Sequence, residues 1–243
     1  MSLNNNLLTV ISRQYVYKFK ANASGVFSLI VTQVLALLFS LIGIQSMSSG
    51  SSTLTVNVKY YSADVIITFT FIWIFFMALR LTSIQNKTMD FTLVTNRLSS
   101  NLSNMGLLLT TVIFGSISSS LMSFVLKIIM YYDFDRSQIA IRGFYPVFSD
   151  ILLGIITTGL YMTLIAAMGY LLGILVQIHV LFIVLYPSAL FGLARVNPQA
   201  LKRMFDFFAT ETSPLIFMIK IVFSSIVLLF LSCLFSNRME VRK

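Results

Sequence analysis

Residues 151–194 read ILLGIITTGLYMTLIAAMGYLLGILVQIHVLFIVLYPSALFGLA, 44 residues without a formal charge. His179 is the only histidine in this run. As a single α-helix the run would measure about 66 Å, while a hydrocarbon core of about 30 Å needs only about 20 residues. The run therefore predicts two crossings, 151–174 and 178–195, with the return at Gly173–His179.

Outward from this run the same arithmetic predicts four more spans, at 26–45, 63–81, 106–130 and 215–236. The expected fold is an all-α integral membrane protein with six transmembrane helices in a single domain over 1–243. Composition demands this class. Of the 243 residues 57% are hydrophobic and 10% charged, against about 25% charged in a soluble domain. A chain this poor in charge cannot cover a water-facing surface. Its +9 formal charge gathers near the ends of the apolar runs, where it fits anionic headgroups and topology better than nucleic acid. The first run follows about twenty fairly polar residues and has no small-residue cleavage pattern, so it reads as a retained span rather than a signal peptide. The lone Cys233 lies inside an apolar run and reads as a buried thiol.

Three basic residues, Arg13, Lys18 and Lys20, precede the first span, and only Lys59 follows before the second. That bias places the N-terminus in the cytosol, and six crossings return the C-terminus to it, in the plasma membrane of a cell. Tyr60, Tyr61, Tyr131, Tyr132, Phe144 and Tyr145 suit an outer aromatic belt.

Three amphipathic pieces frame the spans. Within 1–25, Leu7, Leu8, Ile11, Tyr15 and Phe19 form an apolar stripe on which Lys18 intrudes. This reads as an interfacial helix on the inner leaflet. In Gln85–Met105, residues Phe91, Val94, Leu98, Leu102 and Met105 share a second stripe, with Asn96, Arg97, Ser99, Ser100, Ser103 and Asn104 around the rest. That stripe is expected to rest on the inner membrane surface or on neighbouring spans. In Asn197–Phe208, Asn197 suits an N-cap and Pro198 the first helical position. Leu201, Phe205 and Phe208 line one side of what reads as a short outer helix before the last span.

The chemistry-bearing motifs are sparse. Gly154 and Gly159 match the glycine spacing of a phosphate-binding loop, but Leu160-Tyr161 stands where Lys and Ser/Thr would bind phosphate and magnesium. ATP binding by this chain is not expected. No H-E-x-x-H and no paired Glu within a span is present. Asp64, Lys127 and Lys220 fall near span ends, where long side chains reach water. The chain is therefore not expected to be an enzyme, and no bound metal or cofactor is expected. The Ser/Thr-rich third span and Gly169-x-x-x-Gly173 read as close helix packing.

The order is interfacial helix, two spans, amphipathic cytosolic segment, a third span, a pair of spans joined by a tight return, and a short outer helix before the sixth span. In this order the chain resembles the membrane subunit of type-2 ABC exporters, the ABC-2 permeases, of the half-size bacterial kind that pairs with a separate ATPase. The resemblance covers nearly the whole chain and rests on layout. It implies a permease subunit moving an amphipathic peptide, lantibiotic or drug by alternating access. It implies an ATPase dimer carrying ATP and magnesium, and a second permease subunit, as partners. It implies an elbow helix at Leu7–Lys20 and a coupling helix within Gln85–Met105, contacting the ATPase through Asn86, Lys87, Thr88, Met89, Asp90, Phe91 and Arg97. The return, with Gln177 and His179, would be a smaller second contact, and Asn197, Pro198, Leu201 and Phe205 would belong to the external helix. The resemblance gives no role to the loop Tyr131–Ser149. The competing classes are a non-transporting membrane partner or sensor subunit, and an intramembrane enzyme using His179.

Overall fold

The computed structural model describes residues 7–42, 45–51, 54–83, 97–133, 148–211 and 213–238. Helix α1 spans Leu7–Ala21 and ends at a turn on Asn22, and α2 runs over Ala23–Ile42. Strands β1, Gln45–Ser51, and β2, Leu54–Tyr60, follow and pair antiparallel, with Gln45 opposite Tyr60 and Ser51 opposite Leu54. Then come α3, Asp64–Leu81; α4, Arg97–Asp133; and α5, Phe148–Ile178. Helices α6, Phe182–Val196, α7, Pro198–Ala209, and α8, Pro214–Arg238, complete the chain.

Among the described residues five helices, α2, α3, α4, α5 and α8, are long and apolar enough to cross a bilayer. They mark a multi-pass membrane protein whose membrane elements are helical. This follows from the solvent: lipid offers no partner to backbone N–H and C=O groups, and a helix pairs them within itself. The hairpin falls in the link between α2 and α3, for which no regular structure was expected.

Several expected boundaries move. The segment Gln85–Met105 was read as distinct from a span at 106–130, yet Arg97–Asp133 is one continuous helix of 37 residues. Nothing between 97 and 133 breaks it: Gly106 and Gly115 are the only glycines there and proline is absent. The expected return at Gly173–His179 also shifts. Helix α5 continues through Gly173 to Ile178, and the helical ladder stops at His179–Leu181. Gly173 is a packing position: a Cβ there would collide with the Thr82 hydroxyl oxygen. At Gly169 a Cβ would lie 2.8 Å from the Phe75 carbonyl oxygen and 3.1 Å from Ala78 Cβ. The Gly169-x-x-x-Gly173 face thus admits the end of α3 at close range, as small residues do between membrane helices. The span expected at 178–195 appears as α6, 15 residues with Pro187 inside. At about 1.5 Å per residue that is about 22 Å, short of the hydrocarbon core.

The residues group into two compact units. One comprises Ala23–Trp73 and Ile113–Gly159. Its apolar centre is Ala36, Ile66, Leu126 and Met130, flanked by Leu37, Phe69 and Met122. Beside it the Gln33 amide nitrogen donates to Ser118 Oγ at 2.9 Å and to Thr70 Oγ1 at 3.3 Å. Trp73 Nε1 donates to Ser28 Oγ at 2.9 Å. The serines of α4 mostly turn back on their own helix: Ser119 donates to the Ser116 carbonyl and Ser123 to the Ser119 carbonyl. That satisfies the hydroxyl in lipid and leaves a small, smooth surface, and Gly159 is open to Ser116 on it, its would-be Cβ 3.5 Å from the Ser116 oxygen.

The other unit comprises Met1–Asn22, Ile74–Val112 and Leu160–Lys243. Ile74, Ala78, Leu107, Met162, Ala167, Tyr170, Ile174 and Ile221 are buried in it. It holds all of the described site residues treated next.

Candidate functional site

Helix α1 is too polar to cross a membrane, and among its described side chains the two that are buried are polar. Gln14 and Lys18, one turn apart, point from α1 onto the first turns of α4. Lys18 is only 6% exposed. Its ammonium donates to Asn104 Oδ1 at 2.7 Å, to Ser100 Oγ at 3.0 Å and to the Ser100 carbonyl at 3.2 Å. Gln14 Nε2 donates to Ser99 Oγ, and Ser103 Oγ donates back to Gln14 Oε1, both at 3.4 Å. One turn further, the Tyr15 and Thr110 hydroxyls share a hydrogen bond of 2.9 Å. Helix α5 enters through Tyr170, fully buried. Asn104 Nδ2 donates to its hydroxyl at 3.3 Å, and that hydroxyl donates to Asn101 Oδ1 at 3.0 Å.

The start of α4 is therefore amphipathic in the sense opposite to a water-soluble helix. Ser99, Asn101, Ser103 and Asn104 are buried against α1 and Tyr170, while Leu98 and Leu102 stand 43% and 39% exposed. Of the stripe expected to rest on the inner membrane surface or on neighbouring spans, Leu98 and Leu102 are not packed on neighbouring helices, while Phe91 and Val94 lie outside the described residues. Lys18, which spoils the apolar stripe of α1, is the hub of the junction. A buried ammonium persists only when its donors are used, and here the uncharged oxygens of Ser100 and Asn104 take three hydrogen bonds. Gln14, Lys18, Asn101, Asn104 and Tyr170 were not singled out from sequence as site residues. The signal was the pairing of polar residues at i, i+3 and i, i+4 spacing within otherwise apolar helices.

The predicted site residues fare differently. Asn86, Lys87, Thr88, Met89, Asp90 and Phe91 lie outside the described residues. Arg97 is the first residue of α4. The segment that carries the expected coupling contact is thus bounded by Ser83, just past α3, and by Arg97, one turn before Ser100 and Asn101. Gln177 sits in the last turn of α5, its Nε2 buried without a hydrogen-bond partner. His179 is exposed in the break, with Nδ1 accepting from the Leu181 N–H at 3.3 Å. The two do not touch the α1–α4 junction in any hydrogen bond among the described residues.

Asn197 caps α7: its Oδ1 accepts from the Ala200 N–H at 3.1 Å, and Pro198 occupies the first turn. Leu201 lies in α7, and Phe205 is exposed with Met204 and Phe207. The helix is pinned from two sides. Tyr161 of α5 donates to the Phe208 carbonyl at 3.0 Å and packs edge-on against Phe217 of α8. Lys220 of α8 pairs with the Glu211 carboxylate and lies 4.2 Å from the centre of the Phe207 ring. Lys220 thus does more than reach for water; it ties α8 to the end of α7.

Among the described residues no three His, Cys, Asp or Glu side chains gather to hold a metal ion. The described contacts form two anchors: a polar junction that fixes α1 to α4 and α5, and a second that fixes α7 beside α8. No family model matches the chain, and no curated protein or solved structure matches it.

Proposed function

We propose that this chain is the membrane subunit of an ABC-2-type exporter, driven by a separate ATPase. The observation that carries the proposal is the clamp of α1 onto the first turns of α4 through Lys18, Ser100 and Asn104. A partner pressing on residues 84–96 would push on the N-terminus of α4. The clamp would make α1 follow, and Tyr170 would carry the displacement into α5. Such a lever needs no nucleotide chemistry on this chain. It needs a partner that binds one arrangement of the helices better than another, because a ligand shifts an equilibrium only through differential contacts.

In this proposal Asn86–Phe91 and Arg97 form the coupling contact, with Gln177 and His179 as a smaller one at the α5–α6 break. Helix α6 completes a sixth crossing, both termini face the cytosol of a bacterial cell, and α7 lies at the outer surface. A second permease subunit lines the path for an amphipathic peptide, lantibiotic or drug. The test is whether an ABC ATPase copurifies with this chain from its native membrane. Asp90→Arg and Phe91→Ala should each weaken association or ATPase stimulation while membrane insertion stays normal. Normal coupling in both variants would remove the placement of the contact, and absence of any ATPase from the wild-type complex would remove the permease assignment.

A further inference from the structure

One cleft in the unit formed by Ala23–Trp73 and Ile113–Gly159 has no part in the proposed lever. It is about 230 Å³ and is lined by Ile67 of α3, Ser120, Ser123, Phe124 and Lys127 of α4, and Asp150, Ile151, Gly154 and Thr158 of α5. This is below the about 300–1,000 Å³ of pockets that take a drug-sized body, so it suits a smaller group. Its charged mouth holds one cation and one anion, Lys127 and Asp150, which form no ion pair with each other. The Lys127 ammonium lies 5.8 Å from the Phe124 ring centre, and Asp150 Oδ1 accepts from the adjacent Ser149 hydroxyl at 3.4 Å.

Depth sharpens the chemistry. With α4 centred in the bilayer, Lys127 lies about 18–19 Å from the midplane at 1.5 Å per residue, and with α5 centred, Asp150 lies about 20 Å from it. Both fall in the headgroup layer, which starts about 15 Å from the midplane and ends near 20–22 Å. By the same count Ser120 and Thr158 lie about 8 Å from the midplane, at acyl-chain level. The cleft thus runs from headgroup depth into hydrocarbon depth on two helices independently. Two of its serine hydroxyls are already satisfied: Ser120 donates to the Ser116 carbonyl at 3.1 Å and Ser123 to the Ser119 carbonyl at 2.8 Å. Gly154 leaves open space, with no atom within 4 Å of where a Cβ would stand.

We infer that this cleft binds the zwitterionic phosphate–ammonium headgroup of a membrane phospholipid of the phosphatidylethanolamine class. Lys127 takes the phosphate and Asp150 the primary ammonium, while Ile67 and Ile151 line the start of the acyl chains. A purely anionic head would meet the Asp150 carboxylate, and a purely cationic one the Lys127 ammonium, so the pair selects for both charges on one ligand. The inference needs only that the chain spans a bilayer, and it stands or falls separately from the exporter proposal.

The test is native mass spectrometry of the full-length protein released from mixed micelles holding equal amounts of dioleoyl phosphatidylethanolamine and dioleoyl phosphatidylglycerol. The wild type should retain the ethanolamine lipid about tenfold over the glycerol lipid, the size of one hydrogen bond to a charged group. Asp150→Asn should erase that preference, and Lys127→Met should lower retention of both. Both side chains are exposed, so the variants should keep the wild-type melting temperature. Equal retention of the two lipids by the wild type, or an unchanged preference in both variants, would overturn the site. Displacement of the lipid by millimolar free phosphoethanolamine would overturn the lipid assignment in favour of a soluble zwitterion.

Discussion

Lys18 Nζ and Asn104 Oδ1 meet at 2.7 Å, joining α1 to α4 across 86 positions of sequence. Replacing Lys18 with Met should strand the Asn104 Oδ1 acceptor in a buried setting. The expected loss is about 1–3 kcal/mol, the cost of a buried polar group left without its partner. Lys20→Met, on the exposed side of α1, should change stability by less than about 0.5 kcal/mol. Thermal unfolding in detergent compares the two. Equal effects would mean that the junction adds nothing to stability.

The glycine face of α5 makes a second prediction. Gly173→Ala forces its methyl group onto Thr82 and should cost about 1–3 kcal/mol, the usual penalty of overpacking. Adding Thr82→Ala removes the hydroxyl, the nearest atom, and the methyl at 3.4 Å, and leaves the Thr82 Cβ at 3.0 Å. The double variant should recover part of the loss in the same melting assay. Gly154→Ala, open on all sides in the lipid cleft, should melt as the wild type does.

Gln33 offers the opposite outcome. It is fully buried and holds Ser118 and Thr70, yet its Oε1 has no hydrogen-bond partner. Hydrogen bonds between membrane helices average about 0.6 kcal/mol, and an unsatisfied carbonyl oxygen offsets that gain. Gln33→Leu should therefore stay within about 1 kcal/mol of the wild type by unfolding in mixed micelles. A loss of several kcal/mol would mark the cluster as a functional polar site.

Helix α6 decides the number of crossings. In a Cys233→Ser background, His179→Cys and Thr210→Cys place single thiols at exposed positions on either side of it. The proposed sixth crossing requires a membrane-impermeant maleimide to reach them from opposite faces of sealed vesicles. Labelling of both from one face would lay α6 within a single leaflet and put the two termini in different compartments.

The membrane class was legible because uncharged runs the length of a bilayer have no other stable home. The cap of α7 was legible because Asn197-Pro198 states a local rule. Two features were hidden by the choice of solvent. At the start of α4 the periodicity of Leu98 and Leu102 was correct, but in lipid the apolar side faces outward, so Ser99, Ser103 and Asn104 became the packing face. Lys18 looked like a flaw in α1 for the same reason. Gly173 misled because glycine serves both to stop a helix and to let two helices touch, and only its neighbour Thr82 tells which. Strand β2 was readable in hindsight: Leu54, Val56, Val58 and Tyr60 alternate with Thr55, Asn57 and Lys59.

The chain has one tryptophan, and its indole N–H is bonded to Ser28 where α2 meets α3. The molecule therefore carries a built-in fluorophore at a helix–helix contact, with no competing emission from a second indole. Parting of α2 from α3 would release that N–H and change the polarity around the ring, shifting its emission. Rearrangement of this part of the protein can thus be followed in real time without a label.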